Sequence, residues 1–142
     1  MAHATLTKFG YPDTAIAETE HWALLVRPAQ VTLGSLVLCA KSEATAYGNL
    51  PEEAFSEQRQ LVVKAERLLR EFVGYERINY LMLMMVDPHV HFHVIPRYEG
   101  VRSFAGTDYP DSGWPGVPNL KDAQPAPAAL IQKLRMRAEE LG

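Results

Sequence analysis

The feature that most constrains this sequence is the segment His89–Ile95, in which histidines alternate with apolar residues (HVHFHVI). Successive side chains of a β-strand point to opposite faces, so residues two apart share a face. The alternation predicts a strand with its apolar side chains in the core and its imidazoles side by side on a solvated surface. The apolar members are Val90, Phe92 and Val94, and the histidines are His89, His91 and His93.

Other apolar runs predict three more strands and one long helix. The strands are His21–Val26, Ser35–Ala40 and Ile78–Val86. The helix is expected to start within Asn49–Glu53, where proline and acidic residues suit the first turn, and to stop at Gly74. Its predicted core-facing residues are Phe55, Val62, Ala65, Leu69 and Phe72.

The C-terminal third is expected to add an arm and a short helix. Residues 99–127 are rich in proline and glycine and show no sustained period, which predicts an extended arm. Residues 128–141 predict a helix whose apolar stripe is Leu130, Ile131, Leu134, Ala138 and Leu141. A chain of 142 residues has the length of one domain, so we expect a single domain over 1–142 with its core in about 14–98.

Composition excludes several classes of protein. Hydrophobic residues make up 47% of the chain and charged residues 22%, a globular balance. A net charge of −3 does not favour a nucleic-acid polymer as partner. Because no apolar run approaches the length of a membrane span, we expect a soluble cytoplasmic protein with no membrane partner. The single cysteine, Cys39, is expected to be buried in a strand.

A metal site is one use for the histidine run, since neutral imidazole is a common zinc ligand. On a strand rising about 3.3 Å per residue, however, the outer histidines start roughly 13 Å apart. Two of them with an outside ligand could bind zinc, but His3 lies in a terminus that we expect to be loose and His21 stands alone. We therefore predict no metal.

Nucleophilic catalysis is the second use. A neutral imidazole can attack an electrophile through one nitrogen while a hydrogen bond at the other nitrogen fixes its tautomer. Histidines on either side could position phosphate oxygens. An accidental surface cluster is the third interpretation.

The stretch Pro88–Arg97 (PHVHFHVIPR) resembles the signature of the histidine triad family. Glu20–Val26 and Gly34–Leu38 resemble the first strands of that family, and Asn49–Glu53 resembles its helix start. The resemblance covers roughly residues 14–98. It implies an α+β fold, an antiparallel sheet with helices packed on it, usually assembled as a twofold homodimer.

The resemblance also implies a function and a site. Members of the family hydrolyse or transfer nucleoside phosphoramidates, phosphoesters or dinucleoside polyphosphates through a covalent nucleotidyl-histidine, with no cofactor. Carried over, the catalytic residues are His91 as nucleophile with His89 and His93 beside it. Asn79 resembles a residue that contacts the nucleotide, and Arg27 stands where an acceptor commonly contacts the ribose, although a guanidinium cannot accept a hydrogen bond.

The sequence departs from the family before the triad. A glycine, an amide residue and a serine or threonine often serve the phosphate there, whereas this chain has Met84, Met85 and, as the third nucleotide-binding position, Val86. The phosphate loop is thus expected to be altered. The leading hypothesis is a nucleotidyl hydrolase or transferase; the alternatives are a nucleotide-binding protein with little activity and a histidine-cluster metal protein.

Overall fold

The computed structural model describes residues 2–142. Three α-helices lie in that part of the chain, together with a short 3-10 helix at Tyr47–Asn49. The helices are α1 (Ala4–Lys8), α2 (Glu52–Val73) and α3 (Ala128–Glu140). The strands are β1 (Ala15–Glu18), β2 (Trp22–Val26), β3 (Ala29–Gln30), β4 (Leu36–Ala40), β5 (Arg77–Leu81), β6 (His91–Arg97), β7 (Val101–Phe104), β8 (Thr107–Pro110) and β9 (Gln124–Pro125).

Five strands form an antiparallel sheet in the order β1-β2-β4-β6-β5. The predicted α+β class, an antiparallel sheet with helices packed on it, is confirmed. Of the predicted strands, His21–Val26 and Ser35–Ala40 correspond to β2 and β4, whose residues are all buried. The other two end differently from the predictions. Ile78–Val86 forms a strand only as far as Leu81, and the histidine strand runs from His91 to Arg97.

Helix α2 covers one face of the sheet. It begins after Pro51 and ends at Gly74, whose φ of 57° and N–H to the carbonyl of Arg70 form a left-handed C-terminal cap, as expected. The predicted buried face is partly wrong, because Phe55 is exposed and Val62 and Phe72 are only half-buried. The buried side is instead formed by Ala54, Leu61, Ala65, Leu68, Leu69 and Val73.

Helix α3 packs into the same core. It buries Leu130, Leu134 and Ala138, and Ile131 and Leu141 pack against that core partly buried, so the predicted stripe is confirmed. Within residues 2–142, none of the helices is both long and apolar enough to cross a membrane.

The segment between the sheet and α3 was expected to lack regular structure, and this prediction is wrong in two places. Strands β7 and β8 form a hairpin, and β9 pairs with β3. The hairpin turn has positive φ at both Ala105 and Gly106, which suits a two-residue connection between twisted strands.

The second face of the sheet is covered by the N-terminal segment. Leu6 of α1 and Phe9 pack with buried residues of β2 and β4, which are Ala23, Leu25, Val37 and Cys39. Cys39 is buried as predicted, and burial raises the pKa of its thiol to about 12. The segment that carries Leu6 and Phe9 is therefore part of the packed fold.

Candidate active site

The side chains of β6 alternate between the two faces of the sheet. Phe92 and Val94 belong to the core beneath the helices. His91 and His93 face the other way, as their cross-strand partners Cys39 and Val37 on β4 do. The predicted alternation is present.

The expectation that the imidazoles stand on a solvated surface is wrong. His91 is 0% exposed and His93 is 6% exposed. The cause is the N-terminal segment, since the ring of Phe9 lies with its centroid 5.6 Å from that of His91 and 5.7 Å from that of His93. His91 and His93 are therefore buried beneath a cover.

His91 is held in one tautomer. Its Nδ1 lies 2.7 Å from the carbonyl oxygen of His89, and a carbonyl can only accept, so Nδ1 carries the proton. Nε2 then presents a lone pair. Among the residues described, this atom is the only buried side-chain nitrogen or oxygen with no hydrogen-bond partner. A buried polar atom left unpaired costs stability, which makes it a candidate reactive atom.

His93 is held in the opposite tautomer. Arg27 Nε donates to His93 Nδ1 over 3.3 Å, and because a guanidinium has no acceptor, the imidazole proton must sit on Nε2. Burial, followed by the charge of Arg27, lowers the pKa of His93 to about 4, so this ring is neutral near pH 7. The rings of His91 and His93 meet edge to face with centroids 5.1 Å apart.

His89 precedes the strand and contacts the N-terminus. Its Nδ1 is 2.8 Å from the hydroxyl of Thr5, and its ring stacks on His3 with centroids 3.9 Å apart. His3 is buried, donates from Nε2 to the carbonyl of Ala40 over 2.7 Å and caps α1 through Nδ1. The expectation that His3 lies in a loose terminus is wrong.

Of the other predicted binding residues, only Arg27 is shown in contact with this cluster. Arg27 contacts His93, as described, and also donates to the carbonyl of Ala29 over 2.5 Å. Asn79 lies on β5 opposite Ile95, and its Oδ1 accepts a 2.7 Å hydrogen bond from Arg97 Nη1. Val86 is 86% exposed in the loop between β5 and β6. Arg27 thus binds a histidine of the cluster, whereas Asn79 binds Arg97.

The methionines of that loop differ in their surroundings. Met84 is partly buried and packs against the main core, whereas Met85 is 85% exposed. Lys8 of the N-terminal segment reaches the same loop through a 2.8 Å ion pair with Asp87. Loop and N-terminal segment therefore meet at the rim of the histidine cluster.

Three side chains elsewhere in residues 2–142 are close enough together to hold a metal ion. Glu20, His21 and Glu57 bring their ligand atoms within 4.8 Å of one another, and the three histidines of the β6 run do not form such a group. His21 Nδ1 lies 2.6 Å from a Glu57 oxygen, and this hydrogen bond raises the pKa of His21.

Sequence reasoning missed the N-terminal contributors to the site, which are His3, Thr5 and Phe9. The one local signal for them is the apolar pair Leu6 and Phe9, spaced three apart as on a helix face. It also missed the chain of contacts that holds Asn79, in which Arg97 makes two bonds to the Asp111 carboxylate at 2.7 and 3.0 Å.

No protein-family model matches this sequence, and no curated protein matches it significantly. Solved structures do match it. A histidine triad protein from Sinorhizobium meliloti 1021 is 20% identical, with a TM-score of 0.74 over 99% of this chain and 95% of that chain. One from Bradyrhizobium japonicum is 17% identical, with a TM-score of 0.70 over 99% and 96%.

A third structure, a hypothetical histidine triad nucleotide-binding protein from Sulfolobus tokodaii strain7, is 23% identical, with a TM-score of 0.66 over 90% of this chain and 85% of that chain. Identities this low establish likeness of fold. The resemblance stated from the sequence is confirmed at that level: this chain has the fold of the histidine triad proteins.

Proposed function

We propose that this protein is a nucleotidyl hydrolase or transferase that acts on nucleoside phosphoramidates, phosphoesters or dinucleoside polyphosphates, with His91 as the nucleophile. The observation that carries the proposal is the state of the His91 ring. Its Nδ1 proton is bound by the His89 carbonyl, and its Nε2 lone pair is buried without a partner. A neutral imidazole fixed in this way is ready to attack an electrophile.

In the proposed reaction, Nε2 of His91 attacks the α-phosphorus, and the bond from phosphorus to the leaving group breaks. The product is a nucleotidyl-imidazole. Water then attacks the same phosphorus, the phosphorus–nitrogen bond breaks, and the nucleoside monophosphate leaves with His91 restored. In a transferase another hydroxyl or amine takes the place of water. The carbonyl of His89 stabilises the positively charged ring of the intermediate because it accepts a hydrogen bond from Nδ1–H.

His93 is the proposed proton donor to the leaving group. Its proton lies on Nε2, on the same sheet face as His91. The pKa of about 4 describes His93 in this structure, where the ring is buried. An anionic phosphate beside the ring would favour the imidazolium and raise that pKa, so that the ring gains a transferable proton as substrate binds. The added proton enters at Nδ1, so the Arg27 hydrogen bond to that nitrogen must break in this step.

The remaining predicted residues are proposed to bind the nucleotide. Because Arg97 occupies the amide oxygen of Asn79, the Asn79 NH2 group is the one left for a phosphate or ribose oxygen. Arg27 adds a positive charge beside His93. Val86 offers only its backbone N–H, so the loop supplies fewer donors than an amide and a hydroxyl would.

The test is direct detection of the intermediate. A phosphorus–imidazole bond is labile in acid and survives mild base, so an alkaline quench during turnover of an adenosine phosphoramidate should yield protein heavier by one nucleoside monophosphate. His91→Ala should abolish this adduct, and His21→Ala, a histidine outside the β6 run, should retain it. An adduct that persists in His91→Ala would place the nucleophile elsewhere.

A nucleotide-binding protein with little activity is the second candidate. It is favoured by the Phe9 ring over His91 and His93 and by the exposed apolar side chains of Met85 and Val86 in the loop. Titration calorimetry with a non-hydrolysable nucleotide, run beside the quench experiment, separates the two. Binding without any adduct would favour this second candidate.

We also propose assembly as a homodimer. Strand β5 is an edge of the sheet, and the outer N–H and C=O groups of such a strand can pair with a second copy. Light scattering at micromolar concentration should return twice 15.9 kDa. A value of 15.9 kDa would reject the dimer.

A further inference from the structure

We propose that Phe9 is a gate side chain: its ring lies against both His91 and His93 and fills the space over the two imidazoles that a reacting phosphoryl group must occupy. The three rings lie mutually close, with centroid distances of 5.1, 5.6 and 5.7 Å. Carbon atoms in contact lie about 3.5–4.0 Å apart, so rings at such distances leave no room for a tetrahedral phosphate between them. With Phe9 in this position, Nε2 of His91 cannot meet its target at the roughly 3–3.5 Å that attack requires.

Phe9 is the outermost layer over the nucleophile. Phe9 as a residue is 7% exposed, whereas His91 beneath it is 0% exposed. Displacement of this single ring toward solvent is the smallest change that would uncover the imidazoles.

The backbone of Phe9 is anchored, which makes its side chain the movable part. Its N–H donates to the carbonyl of Thr5 at 3.2 Å, and its own carbonyl accepts from the hydroxyl of Thr14 at 2.7 Å. The next residue, Gly10, has φ of 89°, and a Cβ there would lie 2.6 Å from the Thr14 side chain. Leu6, one turn earlier, is buried more deeply than Phe9 and holds α1 on the sheet.

A gate of this kind makes reactivity depend on the fraction of molecules in which it is open, because a site that is only partly available reacts in proportion to that fraction. The biological consequence, admission of a nucleotide to His91, rests on the proposed function. The gate itself concerns only access to two imidazoles. It can therefore be tested without turnover.

The experiment measures acylation of histidines by diethyl pyrocarbonate at pH 7, with each site followed by peptide mass spectrometry. In the parent protein, His91 and His93 should react slowly. Phe9→Ala should speed His91 by about tenfold or more, since the observed rate follows the open fraction, whereas His93, whose one lone pair on Nδ1 is bound by Arg27, should stay slow. His21, which lies outside the cluster, serves as the internal reference and should react at the same rate in every variant.

Leu6→Ala is the matched control. It truncates another buried apolar side chain of the same cluster, but the ring contacts with His91 and His93 come from Phe9. A gate at Phe9 predicts that Leu6→Ala leaves the His91 rate close to that of the parent, measured well below each melting temperature. If Leu6→Ala speeds His91 as much as Phe9→Ala does, the whole segment opens and the gate proposal is overturned.

Phe9→Leu provides the test if Phe9→Ala fails to fold, because leucine keeps an apolar group in place but removes the aromatic ring. It should also speed His91, by less than alanine would. A rate equal to the parent in folded Phe9→Leu and Phe9→Ala would overturn the gate. Faster acylation in a protein that forms no nucleotidyl adduct would uphold the gate and remove the proposed catalytic function, so the two failures are distinguishable.

Discussion

Arg27 Nε donates a hydrogen bond to His93 Nδ1 and so determines which nitrogen of that ring carries the proton. The arginine comes directly after β2, and the histidine lies on β6, 66 residues away in sequence. Between these strands lies β4. The contact therefore links the first strands of the sheet to the histidine run, and it places a permanent positive charge beside an imidazole.

The first prediction concerns the pKa of His93. Arg27→Met should raise that pKa above about 4, because the Arg27 charge and its bond to Nδ1 both disfavour protonation. Burial should keep the value below 6.5. A histidine-selective NMR titration of the folded protein measures it directly. Arg59→Met, at an exposed position of α2, is the matched control and should leave the value unchanged.

The second prediction is that the free energy of unfolding decreases as pH falls from 7 to 5. The folded-state pKa of His93 is about 4 against an ordinary histidine pKa of 6.5, so the unfolded chain binds more protons in this window and stability rises with pH. From these values the loss is on the order of 2 kcal/mol. Burial lowers the pKa of His3 as well, which acts in the same direction.

Urea unfolding of the parent and of His93→Gln at both pH values tests this second prediction. The glutamine variant cannot titrate, so its stability should depend less on pH over the window. His21 has a raised pKa and opposes the trend, but it is present in both proteins and cancels in the comparison. Equal slopes in the two proteins would contradict the assignment to His93.

The sequence predicts the elements whose signals are local. Strands β2 and β4 are continuous apolar runs between turn residues, and α2 is marked by Pro51 and Gly74. The face of the sheet on which each side chain of the histidine strand lies follows from the two-residue alternation alone. The stripe of α2 was partly misassigned because a long amphipathic helix has half-buried flanks, where Val62 and Phe72 lie, and because Phe55 in its first turn is exposed.

The cover over the histidines could not be predicted in this way. Helix α1 has five residues, too few for a periodic pattern, and its bonds to the site span long separations. His3 binds Ala40 across 37 residues, and Thr5 contacts His89 across 84. The β7–β8 hairpin was missed because its turn is Ala105-Gly106 and lacks the usual asparagine or aspartate before glycine.

The third prediction separates two ion pairs by burial. The Arg97–Asp111 pair has side chains that are 4% and 1% exposed, so Asp111→Ala leaves a buried charge and should cost about 3–5 kcal/mol. Glu71 pairs with Arg137 at the surface, and Glu71→Ala should cost about 0–1 kcal/mol. Chemical denaturation of both variants gives the comparison. Similar losses in the two would show that Arg97 does not depend on Asp111.

The last prediction concerns the loop before the triad, where the resemblance stated from the sequence implies an amide residue at the position of Met85. Met85 is 85% exposed, so Met85→Asn should change the free energy of unfolding by no more than about 0.5 kcal/mol. If the loop serves phosphate, the new donor should raise the single-turnover rate on a nucleoside phosphoramidate. A donor aimed at developing charge is typically worth about 2.7–4 kcal/mol, which sets the upper limit of the gain.

Two variants control for this loop prediction. Met85→Ala removes the methionine without adding a donor and should not gain rate. Met84→Gly truncates a side chain that packs against the core and should lower the melting temperature instead. Because the two methionines are adjacent but differ in burial, rate and stability should respond to different positions. The contrary result is an unchanged rate in a Met85→Asn protein that melts like the parent. It would mean that residue 85 does not face the phosphate. The assignment of this loop to phosphate binding would then be wrong, even if His91 forms the adduct.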